Sequence, residues 1–266
     1  MAKGCYKRCS KLIDSPTWIE GTTDIGAEAF EASGLNNLTT PSSLKHIGER
    51  AFANCNYLTN IALEYGLVAI GPGAFKIDNG KGDGTANYSI TIPKTVKYIH
   101  SEAFKNRTHL TKIIFETGRS EPLYIGWDAF YNTGIIKLEL PHDTVVLGQG
   151  FVHSCQNLQS ISFREREDTE SSDDNKYTTY IGNWAFCGCS KLKTIDFKNK
   201  GNNWKWATNF GLSESYAAGI NREVDFGYIF EGYVNNDSGY GGGQNLYYDF
   251  TRAYQDLTLT VPWEMV

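Results

Sequence analysis

One word recurs through the first two hundred residues and limits what this chain can fold into: Ile-Gly-x-x-Ala-Phe-x-x-Cys-x-x-Leu-x-x-Ile-x-Phe. Its clearest copy runs from Ile181 to Phe197, and a second from Ile47 to Leu63. Eight units start near residues 1, 25, 47, 70, 99, 125, 147 and 181, giving a period of about 22–23 residues with insertions. The N-terminus is itself a copy, because Cys9-Ser10-Lys11-Leu12 repeats as Cys189-Ser190-Lys191-Leu192. The middle has two spellings. Cys-x-x-Leu appears at Cys9, Cys55, Cys155 and Cys189. A form one residue shorter appears at Ser33-Gly34-Leu35 and Thr133-Gly134-Ile135. The unit at Leu147 departs from the pattern, with Phe151 in the Ala slot and Val152 in the Phe slot, so local repacking is expected there. A fixed period of this length means stacked supersecondary units, none of which can bury its apolar side alone.

The pairs Ile61/Leu63, Ile90/Ile92, Ile113/Phe115, Leu138/Leu140, Ile161/Phe163 and Ile195/Phe197 are each two residues apart. That alternation is the period of a strand with both residues on one face. Proline follows at Pro93 and Pro141, where it ends the strand by withholding a donor. The Ala-Phe stretch reads as a single helical or 3₁₀ turn that inserts Phe into the core. The expectation is a β-dominated solenoid whose strands pair coil to coil at about 4.8 Å.

This word resembles the BspA-like, treponemal-type leucine-rich repeats of bacteria, and the resemblance covers residues 1 to about 200. It implies a curved right-handed solenoid. It also implies a cell-surface or secreted protein that adheres to host proteins, other cells or matrix. It brings no catalytic residues, since the repeated positions are core positions.

From Gly201 the word stops. Residues 201–266 carry 14 aromatics and read as an irregular aromatic- and Gly-rich insertion or cap. The segment Leu257-Thr258-Leu259-Thr260-Val261-Pro262 nevertheless matches Ser89-Ile90-Thr91-Ile92-Pro93, as if the chain rejoins the solenoid. The expected division is a solenoid over 1–200 and an insertion over 201–266. A start in repeat register and a stop just past a strand suggest a piece of a longer surface protein. The first residues show no secretory signal.

Charge and motifs exclude several classes. The net charge of −5 argues against nucleic-acid binding, which needs clustered Lys and Arg. No apolar run is long enough to span a membrane. No nucleophile elbow, phosphate loop, zinc-protease or dinucleotide motif is present, so neither catalytic residues nor a cofactor is assigned. The cysteines at the repeated position read as small buried hydrophobes. The five His form no ligand pair, so no metal site is assigned. Asp78 to Gly84 fails as a calcium loop, since Gly80 and Gly82 stand where oxygen ligands belong, and reads as a solvated turn. The acidic stretch Glu165–Asp174 also reads as solvated.

The repeat predicts its own binding surface, because residues beside the inward pair face out. One column is Asn60, Ser89, Lys112, Lys137, Ser160 and Thr194. The next is Ala62, Thr91, Ile114, Glu139, Ser162 and Asp196. A second candidate is an aromatic patch of Trp204, Trp206, Tyr240, Tyr247 and Tyr248. The first expectation is a non-enzymatic adhesion module that binds a protein through the open strand face or the C-terminal region. The second is a carbohydrate-binding module using the exposed aromatics of 201–266. The third is a structural spacer.

Overall fold

The computed structural model describes residues 1–78, 83–84, 86–165, 179–182 and 184–197, and the backbone of strands at 204–206 and 258–260. Two sets of parallel strands alternate along the chain. The first set is β1 (Asp24–Ile25), β3 (His46–Ile47), β5 (Ala69–Ile70), β7 (Tyr98–Ile99), β9 (Leu123–Ile125), β11 (Thr144–Leu147), β13 (Thr179–Ile181) and β15 (Trp204–Trp206). The second is β2 (Asn37–Thr39), β4 (Asn60–Ala62), β6 (Tyr88–Ile92), β8 (Leu110–Phe115), β10 (Lys137–Leu140), β12 (Ser160–Phe163), β14 (Thr194–Asp196) and β16 (Thr258–Thr260). This is a parallel β-solenoid.

The first set forms one continuous eight-stranded sheet, β1-β3-β5-β7-β9-β11-β13-β15. Its register joins Ile25, Ile47, Ile70, Ile99, Ile125, Leu147, Ile181 and Trp206 in one column. The second set is broken into β2-β4, β6-β8 and β10-β12-β14-β16. One break falls at the fourth coil, which carries the insertion before Tyr88. The other falls at the sixth, which has the short Thr133-Gly134-Ile135 spelling. In the last group Ile195 pairs with Leu259, the register that the terminal Leu-Thr-Leu-Thr-Val-Pro motif suggests.

The Ile-Gly position shows why the coils stack so tightly. A Cβ added to Gly48 would lie 2.6 Å from the Ile25 carbonyl oxygen, and one added to Gly71 would lie 2.6 Å from that of Ile47. Backbone touches backbone at these two positions and glycine leaves the room, while in the fifth coil His100 holds the slot and makes the same inter-coil bond, to Ile70 O at 2.9 Å. A second close approach explains the short spelling: a Cβ at Gly34 would collide with the Ser10 carbonyl oxygen, and one at Gly134 with that of Thr108.

The Ala-Phe segment corrects one expectation. Among the described residues it forms no helical or 3₁₀ turn. It is a pair of tight turns, each holding a residue at positive φ: Glu28 and Ala32, Arg50 and Asn54, Glu102 and Asn106, Asp128 and Asn132. The left-handed residues turn alternate amides along the solenoid axis. Phe30 N donates to Ala51 O at 2.7 Å, Phe52 N to Ala74 O at 2.7 Å, and Phe75 N to Ala103 O at 2.8 Å. A helix would spend those amides within the coil.

The rings of Tyr6, Phe30, Phe52, Phe75, Phe104 and Phe130 consequently stack, with successive centroids 5.1–5.6 Å apart. At the seventh coil Val152 takes the Phe slot and the stack stops. Phe186 instead meets Phe151 edge-on, with 77° between planes. This is the repacking that the altered spelling predicts.

The cysteine position has a polar role as well as an apolar one. Cys55 Sγ donates to Phe30 O at 3.0 Å, Cys155 Sγ to Phe130 O at 3.0 Å, and Cys189 Sγ to Val152 O at 3.1 Å. These three are buried free thiols, whereas Cys9 is exposed. Burial pushes the Cys155 thiol up to about 11. In the fifth coil Arg107 occupies this slot, fully buried. Its Nε donates to Phe75 O at 2.6 Å, and its Nη1 to Cys55 O and Leu58 O at 3.2 and 3.1 Å. The guanidinium supplies donors to carbonyls of the third and fourth coils, of which Cys55 O also accepts from Leu58 N at 3.2 Å. The insertion itself is not wholly solvated. Asp83 is buried and accepts from Tyr88 Oη at 2.6 Å and His109 N at 2.8 Å. Of the acidic stretch, only Glu165 lies within the described residues, and it is exposed.

Charged residues of the turns form a ladder across coils. Lys7 meets Glu28 and Glu31, Arg50 bridges Glu31 and Asp78, Lys76 bridges Asp78 and Glu102, and Lys105 bridges Glu102 and Asp128. Its members differ electrostatically. The Arg50 hydrogen bond, with Asn54 and Lys76 beside it, holds the Asp78 carboxyl well below the usual range. Burial raises Asp128 to about 6, despite Lys105.

Two predictions follow from this packing. Phe52→Ala, which empties a fully enclosed site in the ring stack, should cost about 3–5 kcal/mol. Gly48→Ala should cost about 1–3 kcal/mol through overpacking. Urea denaturation measures both, and a loss under about 0.5 kcal/mol for either would refute the packing described.

The ladder gives a pH test. The raised Asp128 pKa means that the unfolded chain releases this proton first, so stability falls as pH rises from about 4 to about 6. Asp128→Asn should therefore become more stable relative to the parent as pH rises through that window. Asp78 has the opposite sign: its contribution is present above its ordinary value of 3.8 and is lost as pH falls below it. The deficit of Asp78→Asn should be full at pH 7 and shrink in acid. Denaturation midpoints for Asp128→Asn are read between pH 4 and 7 and for Asp78→Asn between pH 4 and 2; midpoints whose difference from the parent moves the same way with pH for both variants would contradict this account.

Candidate functional site

The second set of strands presents the predicted columns outward. Asn60, Ser89, Thr91, Lys112, Ile114, Lys137 and Glu139 are exposed, while Ser160, Ser162, Thr194 and Asp196 are half-buried. Alternation along β6, β8 and β10 places Ile90, Ile113, Leu138 and their partners in the core beneath them. Register aligns Ser89 with Lys112 and Thr91 with Ile114 across β6 and β8. Lys137 aligns with Ser160 and Glu139 with Ser162 across β10 and β12, and Ser160 and Ser162 continue to Thr194 and Asp196 on β14.

The columns begin earlier than the sequence reading placed them. Asn60 Nδ2 donates to Asn37 Oδ1 at 3.0 Å, and Asn37 Nδ2 to Asp14 Oδ1 at 3.0 Å. This amide ladder extends the first column through Asn37 to Asp14. Asn60 thus belongs to a self-satisfied polar row.

Four predicted residues, Lys112, Ile114, Lys137 and Glu139, come together in one groove of about 530 Å³ over the fifth to seventh coils. Its apolar strip is Ile114 and Ile136, 38% and 40% exposed. Ile136 N donates to Thr111 O at 3.2 Å, which fixes β8 beside the chain entering β10. Arg164 closes one end: its Nε donates to Glu139 Oε2 at 3.1 Å and its Nη2 to the Phe115 carbonyl. Glu139 is thereby paired, whereas Lys112 and Lys137 form no ion pair among the described residues. The groove combines an aliphatic strip with two unpaired ammonium groups. It suits an acidic segment with aliphatic side chains.

Ile136 and Arg164 were missed by the column argument. Ile136 has a signal in the sequence, since its slot holds Asn36, Thr59, Thr111, Gln159 and Lys193 in other coils. Arg164 lies just past a strand and reaches across two coils, which no repeat position announces. Trp204 and Trp206 lie on β15, whose backbone pairs with β13. Tyr240, Tyr247 and Tyr248 lie outside the described residues. Among the described residues no cluster of His, Cys, Asp or Glu can hold a metal ion, and no helix is long and apolar enough to cross a membrane.

Comparison with curated proteins gives no match. Among solved structures, a leucine-rich cell surface protein from Faecalibacterium prausnitzii is similar at 21% identity and TM-score 0.44, covering 65% of this chain and 52% of that one. A leucine-rich repeat protein from Bacteroides ovatus is similar at 23% identity and TM-score 0.38, covering 78% and 59%. The leucine-rich repeat protein of T. pallidum is similar at 21% identity and TM-score 0.43, covering 69% and 67%. The chain thus spans about half the length of the Faecalibacterium protein. The BspA type Leucine rich repeat region matches in six copies over residues 1–81, 83–174 and 168–208. Recurrent word, parallel solenoid and this match over most of the length agree, and the chain belongs to the BspA-type leucine-rich repeat family.

Proposed function

We propose that this chain is a non-enzymatic interaction module of a bacterial surface or secreted protein, and that it binds a protein partner through its outward strand face. Residues 1–200 serve as the binding scaffold, and residues 201–266 are an insertion that returns to the second set of strands at β16. The observation that carries the reading is the Ile114–Ile136 groove. In the other coils from the second to the eighth the Ile114 slot holds small or polar residues, and the Ile136 slot is large and apolar elsewhere only at Ile13 and Tyr88; here the two aliphatic residues lie in adjacent coils beside the unpaired Lys112 and Lys137. Apolar area flanked by charge of one sign favours a partner that offers the complement, and the charges steer its approach. Family membership supports an adhesion role. A core built from side chains, with repeat positions spent on packing, supports binding rather than catalysis.

The test uses two labelled twelve-residue peptides, one alternating Glu with Leu and one alternating Lys with Leu. Fluorescence anisotropy at low salt should show the acidic peptide bound and the basic peptide not bound. Lys112→Glu with Lys137→Glu should weaken the acidic peptide at least about tenfold, the scale of a lost charge-pair contribution. Thermal unfolding should be unchanged, since both sites are exposed. Equal binding of both peptides, or indifference to the charge reversal, would count against the groove.

A further inference from the structure

A second recess lies away from the Ile114–Ile136 groove, over the first four coils. It follows from the short spelling. The second coil has one residue fewer between Phe30 and Leu35 than its neighbours have at this point, and it is drawn against Ser10 of the first coil at Gly34. The first and third coils stand proud on either side. The resulting pocket, about 400 Å³, lies within the range that accepts a small polar ligand.

Its walls carry unused recognition groups. Arg8 is exposed and forms no ion pair among the described residues, although neighbouring turn cations Lys7 and Arg50 both do. Asn56 Oδ1 is buried without a hydrogen-bond donor. Tyr57 is 68% exposed. The other charge in the lining, Glu31, is offset by Lys7 at 2.8 Å and Arg50 at 2.6 Å. Asn54 is engaged with Asp78 through both ends of its amide, so it serves as fixed wall.

From this set we infer that the recess binds a sugar unit bearing a carboxylate, such as a hexuronate within a glycan. The unpaired guanidinium takes the carboxylate through its planar fork. The tyrosine offers an apolar face to the ring carbons, with a polar tip. The Asn56 side-chain amide, which no hydrogen bond holds among the described residues, turns its enclosed oxygen toward the recess to accept from a sugar hydroxyl, relieving the cost of a buried unmatched acceptor. This site is independent of the proposed protein-binding groove, and either can fail without the other.

The test is NMR titration of the whole chain with methyl glucuronide, methyl glucoside and acetate, followed at the Asn56 side-chain amide. Methyl glucuronide should shift that signal saturably, with methyl glucoside at least tenfold weaker and acetate weaker still. Arg8→Gln and Tyr57→Ala should each reduce glucuronide affinity at least tenfold, while Lys193→Ala, at an exposed site with no binding role, leaves it unchanged. Both wall variants change exposed side chains and should keep the parent unfolding midpoint. The proposal is overturned by any of three results: no saturable shift with glucuronide, acetate equal to glucuronide, or glucuronide binding indifferent to both variants.

Discussion

Everything in this molecule depends on how closely the backbone of one coil lies against the next. At the Ile-Gly column the approach is so short that a single added methyl would strike a neighbouring carbonyl oxygen. That spacing sets the continuous eight-stranded sheet, and it brings the Phe rings to a stacking distance near 5.2 Å. The same spacing lets the turn amides bond along the axis. Left-handed residues in the turns, spelled Glu, Arg, Asn, Asp and Ala as well as Gly, carry a conformational cost. The inter-coil bonds they allow offset it. Stability is therefore shared between neighbouring coils, as expected when each unit contacts only the next.

A second rule concerns the carbonyl of the stacked Phe. Its own coil's amides do not fully serve it, and the side chain of the following coil supplies a donor. Cysteine fits because a thiol is small, apolar enough for the core and still able to donate. Arg107 obeys the same rule on a larger scale. Where the fourth coil gives up its Cys-x-x-Leu segment to an insertion, one guanidinium reaches through to three carbonyls. Asp83 from that insertion is buried against Tyr88 and His109. The insertion and the arginine are two halves of one repair.

The sequence made the solenoid legible because a period of about 22–23 residues leaves no other way to bury Ile, Leu and Phe. The outward columns were legible for the same reason: strand alternation fixes which neighbours of a buried pair face out. The first sheet was not, because strands of two residues, such as Asp24–Ile25, are too short to show alternation. The helical reading of Ala-Phe failed because one apolar residue in a short polar stretch has no period. The left-handed turns are imposed by bonds to the next coil, which no local pattern records. Arg107 was hidden by composition: a cation in a core slot looks like a lapse in the repeat until the carbonyls around it are counted.

Departures from the repeat are therefore where specific chemistry has room. Core positions must satisfy two neighbouring coils at once, so they tolerate few residue types and cannot encode a ligand. The freedom lies in slots that stacking does not use and in coils whose spelling changes. Both recesses include such a coil, the second with Ser33-Gly34-Leu35 and the sixth with Thr133-Gly134-Ile135. A coil one residue short takes a different path between its taller neighbours, which keep their side chains at the rim. A repeat protein can thus gain a recess by losing a residue. The glycine that permits the shortening is held by its contact with the previous coil, while the walls remain free to vary.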